Sequence, residues 1–309
     1  MINIKGYTLL NETVDFWMEV FIPDYELFFF KKENPINNRQ LFRYVSKRSI
    51  NLNSRTSFTT WKPNQFSQKI IKVTNHDFSK LDCNLKEKII TEQYSLGRGL
   101  IFNENDLEVL IKGLTPYHKR KCLEILSENR YQYNKNTNIL HIRRPQWDQF
   151  THEMKITFLS NYATWWIDEA SSWEEIDIKI KQRFTINHPV TANVLNKFPE
   201  QSGPNCLAAT ASVVSNDLSK LYQWMEPNEF KETLNLFDYK QSNRLKWNQE
   251  DVLVWFNESD EIVHSAFAVD EKWAFNKQGQ TMFHPWQLIE IDRVVQAWNN
   301  TSLKVYSNK

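Results

Sequence analysis

A cysteine, a histidine and an asparagine in the last third of the chain have types and spacing suited to nucleophilic thiol chemistry. Cys206 ends the loop Gln201-Ser202-Gly203-Pro204-Asn205, in which Gly203 and Pro204 interrupt regular structure. It then opens a pattern with Leu207, Ala211, Val214, Leu218, Leu221 and Met225 on one face, so the spacing predicts a helix that begins at Cys206. At a helix start the unsatisfied N–H groups and the positive end of the macrodipole favour thiolate over thiol and can hold an oxyanion. The competing reading is a small buried cysteine in the first turn of a core helix. Cys83 and Cys122 lack this context and read as structural.

Downstream, Glu250 to Phe256 and Ile262 to Val269 read as strands separated by a polar turn. Alternation puts His264, Ala266 and Ala268 on one face and Val263, Ser265, Phe267 and Val269 on the other, so the imidazole shares its face with small residues. A solvent-facing edge-strand histidine is the alternative. Trp273 to Lys277 is the expected return strand. With a three-residue loop, Asp270 to Lys272, Val269 pairs with Trp273 and Ala266 with Asn276, which brings Asn276 onto the His264 face. A two-residue loop sends Asn276 to the opposite face. In the first register Asn276 can accept from the imidazole and orient it, with Gln278 and His284 as alternatives for that role.

A nucleophilic cysteine on a helix, a strand, a histidine-bearing strand and a polar third residue on the next strand follow one another in that order. Over residues 200–295 this resembles the NlpC-type branch of the papain-like cysteine peptidases. The likeness is carried by Asp251 to Phe256, His264 to Val269, Phe275-Asn276-Lys277-Gln278-Gly279-Gln280 and Pro285-Trp286. The resemblance implies Cys206 as nucleophile, His264 as base and Asn276 as the orienting residue. Gln201, five positions before Cys206, stands close to where papain-type enzymes place an oxyanion-hole glutamine, and Asn205 is a second candidate for oxyanion or substrate contact. Many members show Asp-Cys-Ser-Gly at the nucleophile, where this chain has Asn205-Cys206-Leu207-Ala208. The expected chemistry is thiol-dependent acyl transfer or amide hydrolysis on a peptide or a small amide or thioester. The alternative is a catalytically inactive papain-like scaffold or binding protein.

The elements that must position these residues belong to an expected α+β chain of two parts. Residues 191–309 form the papain-like domain, with an antiparallel sheet and the nucleophile-bearing helix. Residues 1–190 form a mixed helix and strand region that resembles no named family. The boundary falls in 185–205, where His188-Pro189, Pro199, Gly203 and Pro204 gather. Within the first part, Leu27 to Phe30 and Ile70 to Val73 read as strands around the polar break Asn34 to Asn38. Helices are expected over Asn105–Leu114, Thr115–Arg130, Trp147–Asp168 and Ser171–Phe184, the last with a Ser172–Glu175 capping box. A hairpin is expected over Tyr131–Arg144, and Trp165, Trp166 and Trp173 are expected in the core.

The 309 residues carry 38 Lys and Arg against 37 Asp and Glu, so no global field attracts nucleic acid. The basic clusters His118-Lys119-Arg120-Lys121 and His141-Ile142-Arg143-Arg144 loosely suggest a helix-plus-wing arrangement, but balanced charge and nearby Glu124 and Glu128 favour a solvated face. No stretch approaches the ~20 apolar residues of a membrane span, and the N-terminus lacks a signal-peptide pattern, so a cytoplasmic location is expected, away from external peptidoglycan. Three cysteines are too few for a disulfide framework, and no histidine or cysteine spacing suits a metal or cofactor.

Overall fold

The chain divides into two compact units, Val14–Trp165 and Met1–Thr13 with Trp166–Lys309. The structure, a computed structural model, describes residues 1–30, 43–45, 50, 69–244 and 246–308, so the expected break at Asn34–Asn38 lies outside the described residues. Both parts mix helices with antiparallel sheets, an α+β architecture. No described helix is long and apolar enough to cross a membrane.

The division falls after Trp165, whereas the breaker-rich stretch 185–205 runs through the second unit. Strand β1 (Ile2–Ile4) and strand β2 (Tyr7–Leu9) form a hairpin that belongs to that unit. Its backbone is tied to distant chain by Thr8 N–H donating to Asn196 O (2.8 Å), Phe198 N–H to Thr8 O (3.3 Å) and Ser171 N–H to Lys5 O (2.7 Å). Ile176, Phe184, Val194 and Leu195 are buried in the same core as the helix that starts at Cys206. Breakers mark loops, and a loop lined with apolar side chains can still be interior to a domain.

In the Val14–Trp165 unit the chain runs from α1 (Asn11–Val20) through β3 (Tyr25–Phe30), β4 (Arg43–Val45) and β5 (Lys69–Thr74), in the sheet order β3-β5-β4. Then come α2 (Asn75–Ser79), α3 (Cys83–Ser95), β6 (Ile101–Asn103), α4 (Glu104–Leu110), α5 (Pro116–Ser127), β7 (Arg130–Asn134) and β8 (Thr137–His141), with the sheet order β6-β8-β7. Helices α6 (Arg144–Gln149) and α7 (His152–Ala163) replace the single helix expected over 147–168. The break at Phe150–Thr151 is set by the Thr151 hydroxyl, which accepts from Met154 N–H. Trp147 is buried against Phe21 and Phe158, but Trp165 is 44% exposed, contrary to the core placement expected of it.

In the second unit, Asp177 and not Ser172 caps α8 (Ile178–Asn187); Ser172 begins only a short 3₁₀ turn and makes no capping bond. Next are α9 (Pro189–Ala192), α10 (Cys206–Ser215), α11 (Leu218–Leu221) and α12 (Pro227–Leu236). The pattern read as one amphipathic helix is interrupted at Asn216, whose left-handed conformation (φ 50°) ends α10. Leu207 to Val213 are buried on every side because α10 lies between the sheet and α11 and α12. Strands β9 (Lys240–Ser242), β10 (Val252–Phe256), β11 (Ile262–Ala268), β12 (Trp273–Asn276), β13 (Gln287–Glu290) and β14 (Ser302–Ser307) form one sheet in the order β13-β12-β11-β10-β14-β9, with α13 (Ile291–Ala297) between the last two in sequence. One sheet face, with Val252, Val254, Phe267 and Phe275, packs on α10. The other, with Leu253, Trp255, Ala266, Ala268, Ala274 and Ile289, packs on Val294 of α13.

Candidate functional site

The Cys206 thiol stands at the N-terminus of α10. Asn205 is the cap residue: its Oδ1 accepts from Ala208 N–H at 2.9 Å and its Nδ2 donates to Met225 O at 2.8 Å. Both ends of that amide are occupied by the fold, so the expected role of Asn205 as an oxyanion or substrate contact gives way to helix capping. Ser265 of β11 fastens the helix to the sheet, its hydroxyl lying 2.9 Å from Thr210 Oγ1 and 3.3 Å from Cys206 O. The backbone N–H groups of Ser265, Leu207 and Cys206 itself turn toward the sulfur.

Cys206 retains partial exposure, yet the surroundings of the thiol are packed. Burial pushes its pKa up, and the three N–H groups together with the Lys277 ammonium pull it down without cancelling the desolvation. At rest the group is a thiol.

His264 lies on an interior strand, not an edge, and is 1% exposed, which excludes the solvent-facing alternative. The hairpin register is the odd one: Phe267 pairs with Phe275 and Ala268 with Ala274, with Val269 N–H donating to Trp273 O across the three-residue loop. Continuing the pairing sets Ala266 beside Asn276, and Asn276 therefore shares the face of His264. Asn276 favours the charged imidazole, but burial outweighs it and brings the histidine pKa down to about 3. The ring is stacked on Trp298 (4.8 Å, 15°) and flanked by Trp255 (5.3 Å). His264 Nε2 and both amide atoms of Asn276 are buried with no hydrogen-bond partner.

The alternation that unites His264 with Asn276 separates their side chains from Ser265, which points toward α10. The imidazole and the thiol therefore lie on opposite faces of the sheet, and the expected meeting of Cys206 with His264 and Asn276 is not made; only the backbone N–H of Ser265, the residue after His264, turns toward the sulfur. The sulfur and Nε2 form no hydrogen bond.

Lys277 is the residue that sequence reasoning passed over. It is fully buried, with Nζ donating to Gly279 O (2.6 Å) and Thr281 O (3.1 Å), and burial brings its pKa down to about 7 despite the neighbouring Cys206. The signal was available, since the register that puts Asn276 on the His264 face puts its neighbour Lys277 on the face covered by α10. His284, an alternative for the orienting role, is instead engaged with Thr281 Oγ1 (2.5 Å) and packed edge-on to Trp166 (5.7 Å). Burial, and then Lys277, bring its pKa down to about 3. Gln278 is partly exposed, and Gln201 is exposed at the start of the loop that leads to Cys206.

The other cysteines differ from expectation in one respect. Cys122 is buried and its pKa is pushed up to about 12. Cys83, however, is exposed and opens α3, so it shares the helix-start context it was expected to lack; the Asp82 carboxylate caps that turn by accepting from Leu85 N–H. Among the described residues no group of three or more His, Cys, Asp or Glu could hold a metal ion. No protein-family model matches the chain, and neither a curated protein nor a solved structure matches it.

Proposed function

We propose that Met1–Thr13 with Trp166–Lys309 form a papain-like module of the NlpC type that performs thiol-dependent acyl transfer or amide hydrolysis on a peptide or a small amide or thioester. The observation that carries this reading is a thiol at a helix start with the buried Lys277 beside it, whose pKa burial brings down to about 7. An amine of that pKa is suited to exchanging a proton near neutrality. As Sγ attacks the carbonyl carbon and a C–S bond forms, the thiol proton passes to the Lys277 amine on the same face of the sheet. The ammonium then protonates the departing amine or thiol, and water or an amine resolves the thioester. The N–H groups at the start of α10 face the developing oxyanion, and the Lys277 ammonium favours charge on sulfur.

The inactive-scaffold reading is favoured by one feature: burial keeps thiol and imidazole neutral, and the two stand on opposite faces of the sheet. Fold alone does not establish activity, so the test is functional. In a Cys83→Ser chain, p-nitrophenyl acetate should release a burst of p-nitrophenolate equal to the protein and leave an acetyl group on Cys206, located by peptide mass spectrometry. Lys277→Met should slow the burst, whereas His264→Phe should leave it unchanged. Acylation of Cys206 no faster than that of buried Cys122 would establish the scaffold instead.

A further inference from the structure

The near-neutral charge of the whole chain conceals two opposite halves. Val14–Trp165 carry 23 Lys and Arg against 16 Asp and Glu, and the remainder carries 15 against 21. Residues 83–141 of the basic unit carry 9 Lys and Arg against 7 Asp and Glu, so a polyanion there would be held by where the cations stand and not by net charge.

Within the basic unit, α3, β6, α4, α5 and the β7–β8 hairpin follow one another, with β8 paired between β6 and β7. Helices α4 and α5 are joined by Ile111–Thr115. Gly113 in that turn adopts φ 100°, and Ile111 and Leu114 are buried beneath it. Thr115 caps α5 by accepting from His118 N–H, and Pro116 occupies its first turn. This is a helix-turn-helix followed by a two-stranded wing, with α5 in the place of the groove-entering helix.

We propose that residues 83–141 bind duplex DNA with α5 in the major groove. Cys122 and Leu126 bury one side of α5, which turns Tyr117, Arg120, Glu124 and Ser127 outward along the other. Tyr117 is 65% exposed and Leu123 48% exposed, large side chains left without a packing surface. Lys119, Arg120 and Lys121 cluster at the N-terminal half of the helix, the half that reads bases in this arrangement, and where the macrodipole adds positive potential. Among the described residues Lys112, Lys119, Arg120, Lys121 and Lys135 enter no ion pair or side-chain hydrogen bond. Lys135 stands at the tip of the wing between β7 and β8.

The second basic cluster behaves in the opposite way and belongs to the fold. His141 Nε2 lies 2.7 Å from Glu26 Oε1, Arg143 donates to Asn75 and covers the Phe78 ring, and Arg144 pairs with Asp148. Among the described residues of this unit Lys69, Lys80 and Lys88 are free as well, so what sets α5 apart is that three free cations follow one another in its first half. Arg120 has the donor fork for guanine, and Glu124, one turn on, can accept from cytosine N4. Lys112, Lys119, Lys121 and Lys135 are placed for phosphates. An RNA duplex has a major groove too deep and narrow for a helix, so the ligand is DNA.

The test uses the full chain and a fluorescently labelled duplex of mixed sequence, read by anisotropy. Four phosphate contacts predict a slope of log K against log salt near about −3.6, or about 150-fold weaker binding at about 200 mM than at about 50 mM salt. Lys121→Ala should reduce that slope by about 0.9, and Lys119→Ala/Arg120→Ala/Lys121→Ala should weaken binding at least about tenfold with an unchanged circular dichroism spectrum. Lys179→Glu, an exposed position in the acidic unit, should leave DNA affinity unchanged. Absence of duplex binding at low salt, full retention in the triple variant, or equal affinity for duplex RNA would each overturn the proposal. The salt slope is measured on the native protein and stands even if the triple variant is unstable.

Discussion

Acidification should destabilise the Cys206 unit through His264. Burial holds its imidazole pKa at about 3, against an ordinary value of 6.5. As the pH falls through 6.5 the unfolded chain takes up a proton that the folded ring refuses until the pH nears 3. Stability contributed by the neutral ring is thus complete above 6.5 and declines across that window. Between pH 6.5 and about 5 one such histidine costs about 2 kcal/mol. His284 and His188 are lowered by burial as well, so the whole protein should lose more than this. His264→Phe isolates the contribution, because it keeps an aromatic ring between Trp255 and Trp298 and removes the titration. Urea unfolding followed by tryptophan fluorescence at the two pH values should show the variant losing about 2 kcal/mol less than the native chain. Equal losses in both would refute a buried, neutral imidazole at this position.

Lys277→Met should slow acylation of Cys206 by p-nitrophenyl acetate at neutral pH and move its profile to higher pH, because the ammonium that favours charge on sulfur is gone; an unmoved profile would remove Lys277 from the site. Gly279→Ala should lower stability by roughly 1–3 kcal/mol in thermal unfolding, because the new Cβ would stand 2.7 Å from the His284 ring and push it off Thr281. An unchanged Tm would mean that the ring is not held there.

The strand faces at the candidate site were legible in the chain because strand geometry is local. The period of two in Ile262 to Val269 and the length of the Asp270–Lys272 loop together decide which residues share a face, and the observed register is the odd one of the two possibilities. Capping chemistry was equally legible at Thr115, where a short polar side chain meets a helix start, whereas Asn205 was read as an oxyanion or substrate contact and proved to be a cap. Elsewhere local signals competed. Ser172 and Asp177 both precede helix-forming sequence, and only the second is used. The apolar spacing from Leu207 to Met225 runs past Asn216, which the folded chain turns into a left-handed stop. Cys83 looked undistinguished because attention to apolar periodicity overlooks Asp82 as a cap.

The sequence by itself determined residue chemistry, helix starts and strand faces, since these depend on neighbours within a few positions. Tertiary structure alone decided that Met1–Thr13 pair with residues 196–198, that Lys277 is buried beside Cys206, and that His141 and Arg143 are packed beside Glu26 while Arg120 stays free. Those outcomes depend on which distant segments desolvate a charge, and desolvation is a property of the packed chain.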